Sequence, residues 1–329
     1  MKLTETNVPV TVPVAAKPAR GAILGVCRAR VGICWTNQRP EAGQRFDALS
    51  ELFNASTFRH LSAVGLEPGW RVWEAGAGGP SVPSWLAEQV GPEGRVVATD
   101  IDTAWMSGTG RFEVRRHDVG VDPPPMGPFD LVHARLLLVH VSRRDRALAA
   151  MVSVLRPGGW LVLEEADPAL QPLVCPDETG PAQQLANRLK TGFRELLTER
   201  GVDLAYGRTL PGRLRAAGLV EVGADAYFPI TGPACAELER ASVEQIRDRL
   251  VAAGIATDVE IEQHLSNVIS GRLDLATSPM ISSWGGLRPA VEPVAERPTG
   301  HLGATAGVRG TVEFDDCAVR RRPARNNAR

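Results

Sequence analysis

Lysine is nearly missing from this chain. Only Lys2, Lys17 and Lys190 stand against an excess of arginine. Together with the abundance of Ala, Gly, Val and Pro, this points to a GC-rich gene rather than a basic binding surface. The formal net charge is −1, so no global field draws the chain to nucleic acid or to a membrane. Cysteine is sparse and scattered: Cys27, Cys34, Cys175, Cys235 and Cys317 contain no C-x-x-C pair. That spacing supports neither a zinc site nor a thioredoxin-like motif, and the odd count suits reduced thiols in a cytoplasm. No apolar run reaches the ~18 residues a membrane helix needs. Glu5, Pro9 and Pro13 interrupt the apolar start, which argues against a secretory signal. Tyrosine occurs only at Tyr206 and Tyr227, and neither opens the Tyr-x-x-x-Lys pair of an oxidoreductase.

What is present reads as an α/β protein. The 329 residues allow one large domain with additions or two small ones, and 43% hydrophobic content can fill a core. The chain is organised around residues 71–80, Arg-Val-Trp-Glu-Ala-Gly-Ala-Gly-Gly-Pro. Val72 and Trp73 favour a buried strand, and Gly76, Gly78 and Gly79 let the backbone turn and a ligand approach closely. Ser81 is expected to cap a helix over residues 82–90. A second strand over residues 95–99 ends on Asp100, about twenty residues after the glycines. This is a nucleotide-site layout.

The third glycine of the G-x-G-x-x-G dinucleotide pattern is replaced by Ser81, and Glu74 would repel a pyrophosphate. The pattern E-x-G-x-G followed by a strand ending in Asp resembles motif I of the class I S-adenosylmethionine-dependent methyltransferases. Further on come Phe129-Asp-Leu-Val, a helix, Leu155-Arg-Pro-Gly-Gly159 and the apolar strand 160–165. That run resembles the fourth and fifth units of the same family, especially the quinone-biosynthesis C-methyltransferases and their small-molecule relatives. The resemblance implies a doubly wound, seven-stranded, mostly parallel Rossmann-like sheet with an antiparallel last strand. Helical additions at about 168–209 and 233–270 would form a lid, a substrate wall or else a homodimer contact. The methyltransferase domain is expected over 41–286, between a flexible arm at 1–40 and a disordered basic tail at 287–329. Two helices, broken at residues 54–57, are expected before the first strand. Arg156-Pro-Gly-Gly159 is read as a helix stop.

The resemblance also assigns cofactor residues. Glu74, Gly76, Ala77 and Gly78 would meet the methionine end of S-adenosylmethionine, and Asp100 with Ile101 the ribose. Asp118 would meet the adenine amino group, with Val119 beneath the ring and Ala134 nearby. Asp118 also reads as a turn aspartate satisfying its own backbone. For a general base, His140 is the first choice, because histidine titrates near neutral pH. His133, Glu164, Glu165, Asp167 and Tyr206 are the other candidates. Asp122-Pro-Pro-Pro precedes the fourth strand and ends in proline, unlike the motif of amino-methylating DNA enzymes. The expected activity is methyl transfer to an oxygen or carbon of a small molecule, with neither nucleic acid, membrane nor metal involved. The rivals are an NAD-type oxidoreductase and a non-catalytic S-adenosylmethionine-binding relative.

Overall fold

Seven strands form one sheet in the order β3-β2-β1-β4-β5-β7-β6. The computed structural model describes residues 40–106 and 110–289. Residues 1–39 of the expected arm and all of the expected tail beyond residue 289 lie outside them. The strands are β1 (Arg71–Ala75), β2 (Arg95–Asp100), β3 (Glu113–Arg116), β4 (Phe129–Arg135), β5 (Leu155–Ala166), β6 (Val220–Tyr227) and β7 (Met280–Gly286). β7 pairs antiparallel with both β5 and β6, and the other pairings are parallel.

The central strands are buried on both faces, as parallel strands must be when helices cover each side. Alternation then sorts their side chains. Val72, Leu131 and Val162 join Leu61, Val64, Val82 and Leu86 on the side of α1 (Pro40–Ala63) and α2 (Ser81–Val90). Trp73, Val132, Leu161 and Leu163 pack on the other side, with α3 (Arg144–Ser153) and α5 (Tyr206–Ala216). Trp73 is fully buried, and its indole N–H donates to Thr99 Oγ1 at 2.9 Å. A large side chain buried this way contributes about 1.5–3 kcal/mol.

Three local expectations are corrected. The first helix does not break at residues 54–57, because Asn54 and Thr57 turn their polar groups to buried partners from the sheet. Arg135 Nη1 donates to both, at 3.0 and 3.1 Å, and Thr57 Oγ1 donates to Glu164. Ser81 is the first residue of α2 rather than its cap, and its hydroxyl pairs with Ser50 Oγ at 2.9 Å. Arg156-Pro-Gly-Gly159 belongs to β5, not to a helix end. A side chain at Gly159 would lie 3.0 Å from the carbonyl oxygens of Phe129 and Asp130, so the adjoining strand requires glycine there.

Beyond the sheet, α4 (Pro181–Glu199), α6 (Pro233–Ala252) and α7 (Asp258–Ile269) form a helical roof with its own apolar cluster. A capping box starts α7: Thr257 Oγ1 accepts from the Glu260 N–H, and Glu260 returns the bond to the Thr257 N–H. The loop before α4 is held by buried Asn187, whose Oδ1 accepts from the N–H groups of Val174 and Cys175 at 2.9 and 2.8 Å. Replacing Asn187 by alanine strands two buried donors. The expected loss is about 1–3 kcal/mol of unfolding free energy, read from urea midpoints. A loss below a few tenths would mean that water replaces the amide. No helix among the described residues is long and apolar enough to cross a membrane.

Candidate active site

A cavity of about 450 Å3 opens at the carboxyl ends of the strands. Its floor is the glycine loop, residues 76–79, with Asp100 and Ile101 from the end of β2. One wall is α1, through Arg45, Phe46, Leu49 and Phe53; another is the segment after β4, through Arg135, Leu136, Leu137 and His140. Lys190 and Phe193 of α4 and Leu238 and Glu239 of α6 close it above.

The loop's glycines are required by two separate constraints. Gly76 and Gly78 have φ of 67° and 64°, in the left-handed region. A Cβ on Gly76 would sit 2.6 Å from Leu137 Cδ1, and one on Gly78 2.8 Å from the Phe46 ring. The loop is tied to β2 through Asp100, whose Oδ2 accepts from the Gly78 N–H at 3.0 Å and Oδ1 from the Asp102 N–H at 2.9 Å. Burial raises the Asp100 carboxyl above its usual range, against these two donors. The spacing of Phe46, Leu49, Leu52 and Phe53 reads as an apolar helix face, but nothing in it shows that Phe46 packs on a loop thirty residues away.

After β4 the chain turns sharply. Leu136 takes φ of 54°, rare for a residue with a Cβ, and redirects the backbone into a 3₁₀ turn, Leu138–His140. Glu165 fastens that turn. Its Oε1 accepts from the N–H groups of Leu137, Leu138 and Val139 at 3.1, 2.5 and 3.3 Å. Burial pushes its carboxyl up to about 8 despite these donors. His140, carried by this turn, lines the cavity.

The other proposed bases lie off the lining. Tyr206 is fully buried between the Arg144 and Arg213 guanidiniums, 5.1 and 4.6 Å from its ring, and burial pushes its phenol up to about 12. Asp167 is gripped by Arg208, Nε at 2.7 Å and Nη2 at 2.6 Å. His133 and Glu164 belong to a buried network beneath the cavity. His133 Nδ1 donates to Glu74 Oε2 at 2.6 Å, and its Nε2 lies 3.5 Å from Glu164 Oε2. His60 Nδ1 lies 3.3 Å from Glu164 Oε1, while its Nε2 donates to Asp225 Oδ1 at 2.8 Å. Ser282 Oγ also donates to Glu164, at 2.6 Å. Burial opposes charge on His133, but Glu74 and Glu164 outweigh it and raise the imidazole to about 9. Burial likewise opposes charge on Glu164, yet the two histidines hold its carboxyl far below the usual range.

Of the residues expected to meet a cofactor, Gly76, Ala77, Gly78, Asp100 and Ile101 line the cavity together. Glu74 does not, because its carboxylate is engaged with His133. Asp118 is exposed and closes its own turn: Oδ1 accepts from the Gly120 N–H at 2.9 Å, and its N–H donates to Asp122. Val119 and Ala134 are core residues on the α3 side of the sheet.

Residues 73–163 match a family model described as a methyltransferase domain. The chain is 30% identical over 146 residues to the ubiquinone/menaquinone biosynthesis C-methyltransferase UbiE of Vibrio parahaemolyticus, covering 39% of this chain and 56% of that protein. Against the enzyme of the same name from Ralstonia pickettii the identity is 30% over 145 residues, covering 39% and 58%. The chain thus spans little more than half the length of these relatives. Among solved structures, Haemonchus contortus phosphoethanolamine N-methyltransferase 2 aligns at 15% identity, 76% of this chain, 58% of that chain and a TM-score of 0.46. Residues 73–163 thus carry a methyltransferase domain, similar to that of the quinone-biosynthesis C-methyltransferases, on a seven-stranded sheet.

Proposed function

We propose that this protein transfers the methyl group of S-adenosylmethionine to an oxygen or carbon of a small molecule, in the cytoplasm and without a nucleic-acid partner. The observation that carries the reading is the joining of the glycine loop to Asp100 on one cavity floor. The volume lies within the ~300–1,000 Å3 of small-molecule sites. The lining suits the donor: the absence of a Cβ at Gly76 and Gly78 lets the loop pack against Leu137 and Phe46, and Asp100 offers a buried carboxylate for vicinal hydroxyls. When bound, S-adenosylmethionine supplies a methyl carbon that already carries a good leaving group. The chain's own contribution is therefore mainly placement of an acceptor near that carbon. The loop fixes one end, α1 and the roof exclude water, and the turn held by Glu165 sets His140 on the cavity wall. His140 is proposed to take a proton from an acidic acceptor as the methyl group arrives.

Calorimetric titration with S-adenosylmethionine, S-adenosylhomocysteine and NADH tests the reading. The first two are expected to bind and NADH is not; tight NADH binding would overturn it. In the same assay Asp100→Ala is expected to weaken S-adenosylhomocysteine by about 1–3 kcal/mol, the loss of a charge-assisted hydrogen bond. Unchanged affinity in the folded variant would remove Asp100 from the ribose role.

A further inference from the structure

Three roof helices bring one charged or titratable group each to the same place. Lys190 comes from α4, Glu239 from α6 and His264 from α7. His264 Nε2 donates to Glu239 Oε1 at 3.2 Å, and the two side chains are 0% and 8% exposed. Burial works against charge on Glu239, but the His264 bond and the Lys190 charge outweigh it and hold the carboxyl below its usual range. Glu239 and Lys190 both line the cavity. Among the described residues Glu239 accepts this one hydrogen bond, which leaves Oε2 with its acceptor capacity. The Lys190 ammonium lies 5.9 Å over the Phe193 ring. Apolar side chains, Val174, Phe193 and Leu238, line the same cavity, with the Ser242 hydroxyl one turn along α6 from Glu239.

A buried carboxylate in an apolar wall is costly unless something pairs with it. His264 uses one oxygen only. A few such polar groups set in an apolar pocket fix a ligand's orientation. We propose that Glu239 and Lys190 are the polar anchor for the methyl acceptor. That acceptor is an apolar molecule carrying two neighbouring oxygens, one a hydroxyl that donates to Glu239 and the other an acceptor for the Lys190 N–H. A zwitterion would also match the two charges, but the apolar surroundings would desolvate it at high cost. The inference rests on reading the cavity as the methyl-transfer site.

The test uses the full chain with 2,3-dihydroxynaphthalene and 2,3-dimethoxynaphthalene as probes, titrated calorimetrically into the S-adenosylhomocysteine-saturated protein. Wild type is expected to bind the dihydroxy probe about tenfold or more tightly than the dimethoxy probe, the scale of a hydrogen bond to a charged group. Glu239→Gln keeps the acceptor for His264 and so the roof, yet it should erase the preference. Lys190→Met should weaken both probes, because a methoxy oxygen accepts from the ammonium as a hydroxyl oxygen does. Affinity for S-adenosylhomocysteine should stay at the wild-type value in both variants. Equal binding of the two probes by wild type, or a preference that survives Glu239→Gln, overturns the anchor. Failure of S-adenosylhomocysteine to bind wild type would instead overturn the cofactor reading itself.

Discussion

Glu164→Ala is expected to destabilise the fold by about 3–5 kcal/mol, the cost of leaving buried cations without their partner. Glu164 is 1% exposed and faces His133, His60, Thr57 and Ser282, with Arg135 close by. Removing it leaves Glu74 as the one carboxylate on His133 and Asp225 as the one on His60. Urea unfolding of wild type, Glu164→Ala and Glu164→Gln gives the measurement. A loss under about 1 kcal/mol for the alanine variant would mean the network is neutral in the folded state. The same network sets a pH dependence. His133 is raised from 6.5 to about 9 in the folded chain, so its contribution is complete below pH 6.5 and is lost as pH rises through 9. The full span is about 3 kcal/mol, at 1.36 kcal/mol per pKa unit. Glu165, raised from 4.5 to about 8, pushes the same way at lower pH, because the folded chain holds its proton longer. Wild-type stability should therefore fall on the alkaline side, and Glu164→Gln should move that fall to lower pH. A flat profile between pH 6.5 and 9 would contradict a charged His133.

Gly76→Ala is expected to weaken S-adenosylhomocysteine binding by about tenfold to a hundredfold, taking 1.4 kcal/mol per factor of ten. The φ of 67° costs a residue with a Cβ about 1–2 kcal/mol. The new methyl also falls 2.6 Å from the Leu137 side chain, whose turn carries His140, so that side chain or the loop must shift. Gly79→Ala is the matched control. It has no positive φ, and its Cβ would meet only Phe46 Cβ, at an ordinary 3.9 Å. Calorimetry on the two variants compares loop geometry with mere bulk. If both lose the same affinity, the left-handed backbone at Gly76 is not what the site requires.

The layout of strands and helices was legible because it is written in local periods. The buried runs at 72–75, 96–100 and 161–163 read as central strands, and Val243, Ile246 and Leu250 share one buried helix face. The readings that went astray turned on partners far away in sequence. Asn54 and Thr57 look like helix breakers because such side chains compete for their own backbone. Here Arg135 and Glu164, some eighty and a hundred residues on, occupy them instead. At the site, the glycine loop and Asp100 could be read from spacing alone. The engagement of Glu74 could not, because it depends on the β1–β4 register that sets Glu74 opposite His133. Nor could Lys190 and Glu239 be joined, since their meeting requires the packing of α4 against α6 and α7.

The unbroken first helix makes two distant parts of the molecule a single mechanical piece. At 24 residues it is a rod of ~36 Å. Near its start Phe46 abuts Gly78 of the glycine loop, and near its finish Arg59 and His60 grip Asp225 on β6, an edge strand of the sheet. A strut anchored at both extremities does not absorb a push by bending in the middle. A shift of Asp225 on its edge strand would therefore have to be taken up by the whole helix and by its contacts, Phe46 against Gly78 among them.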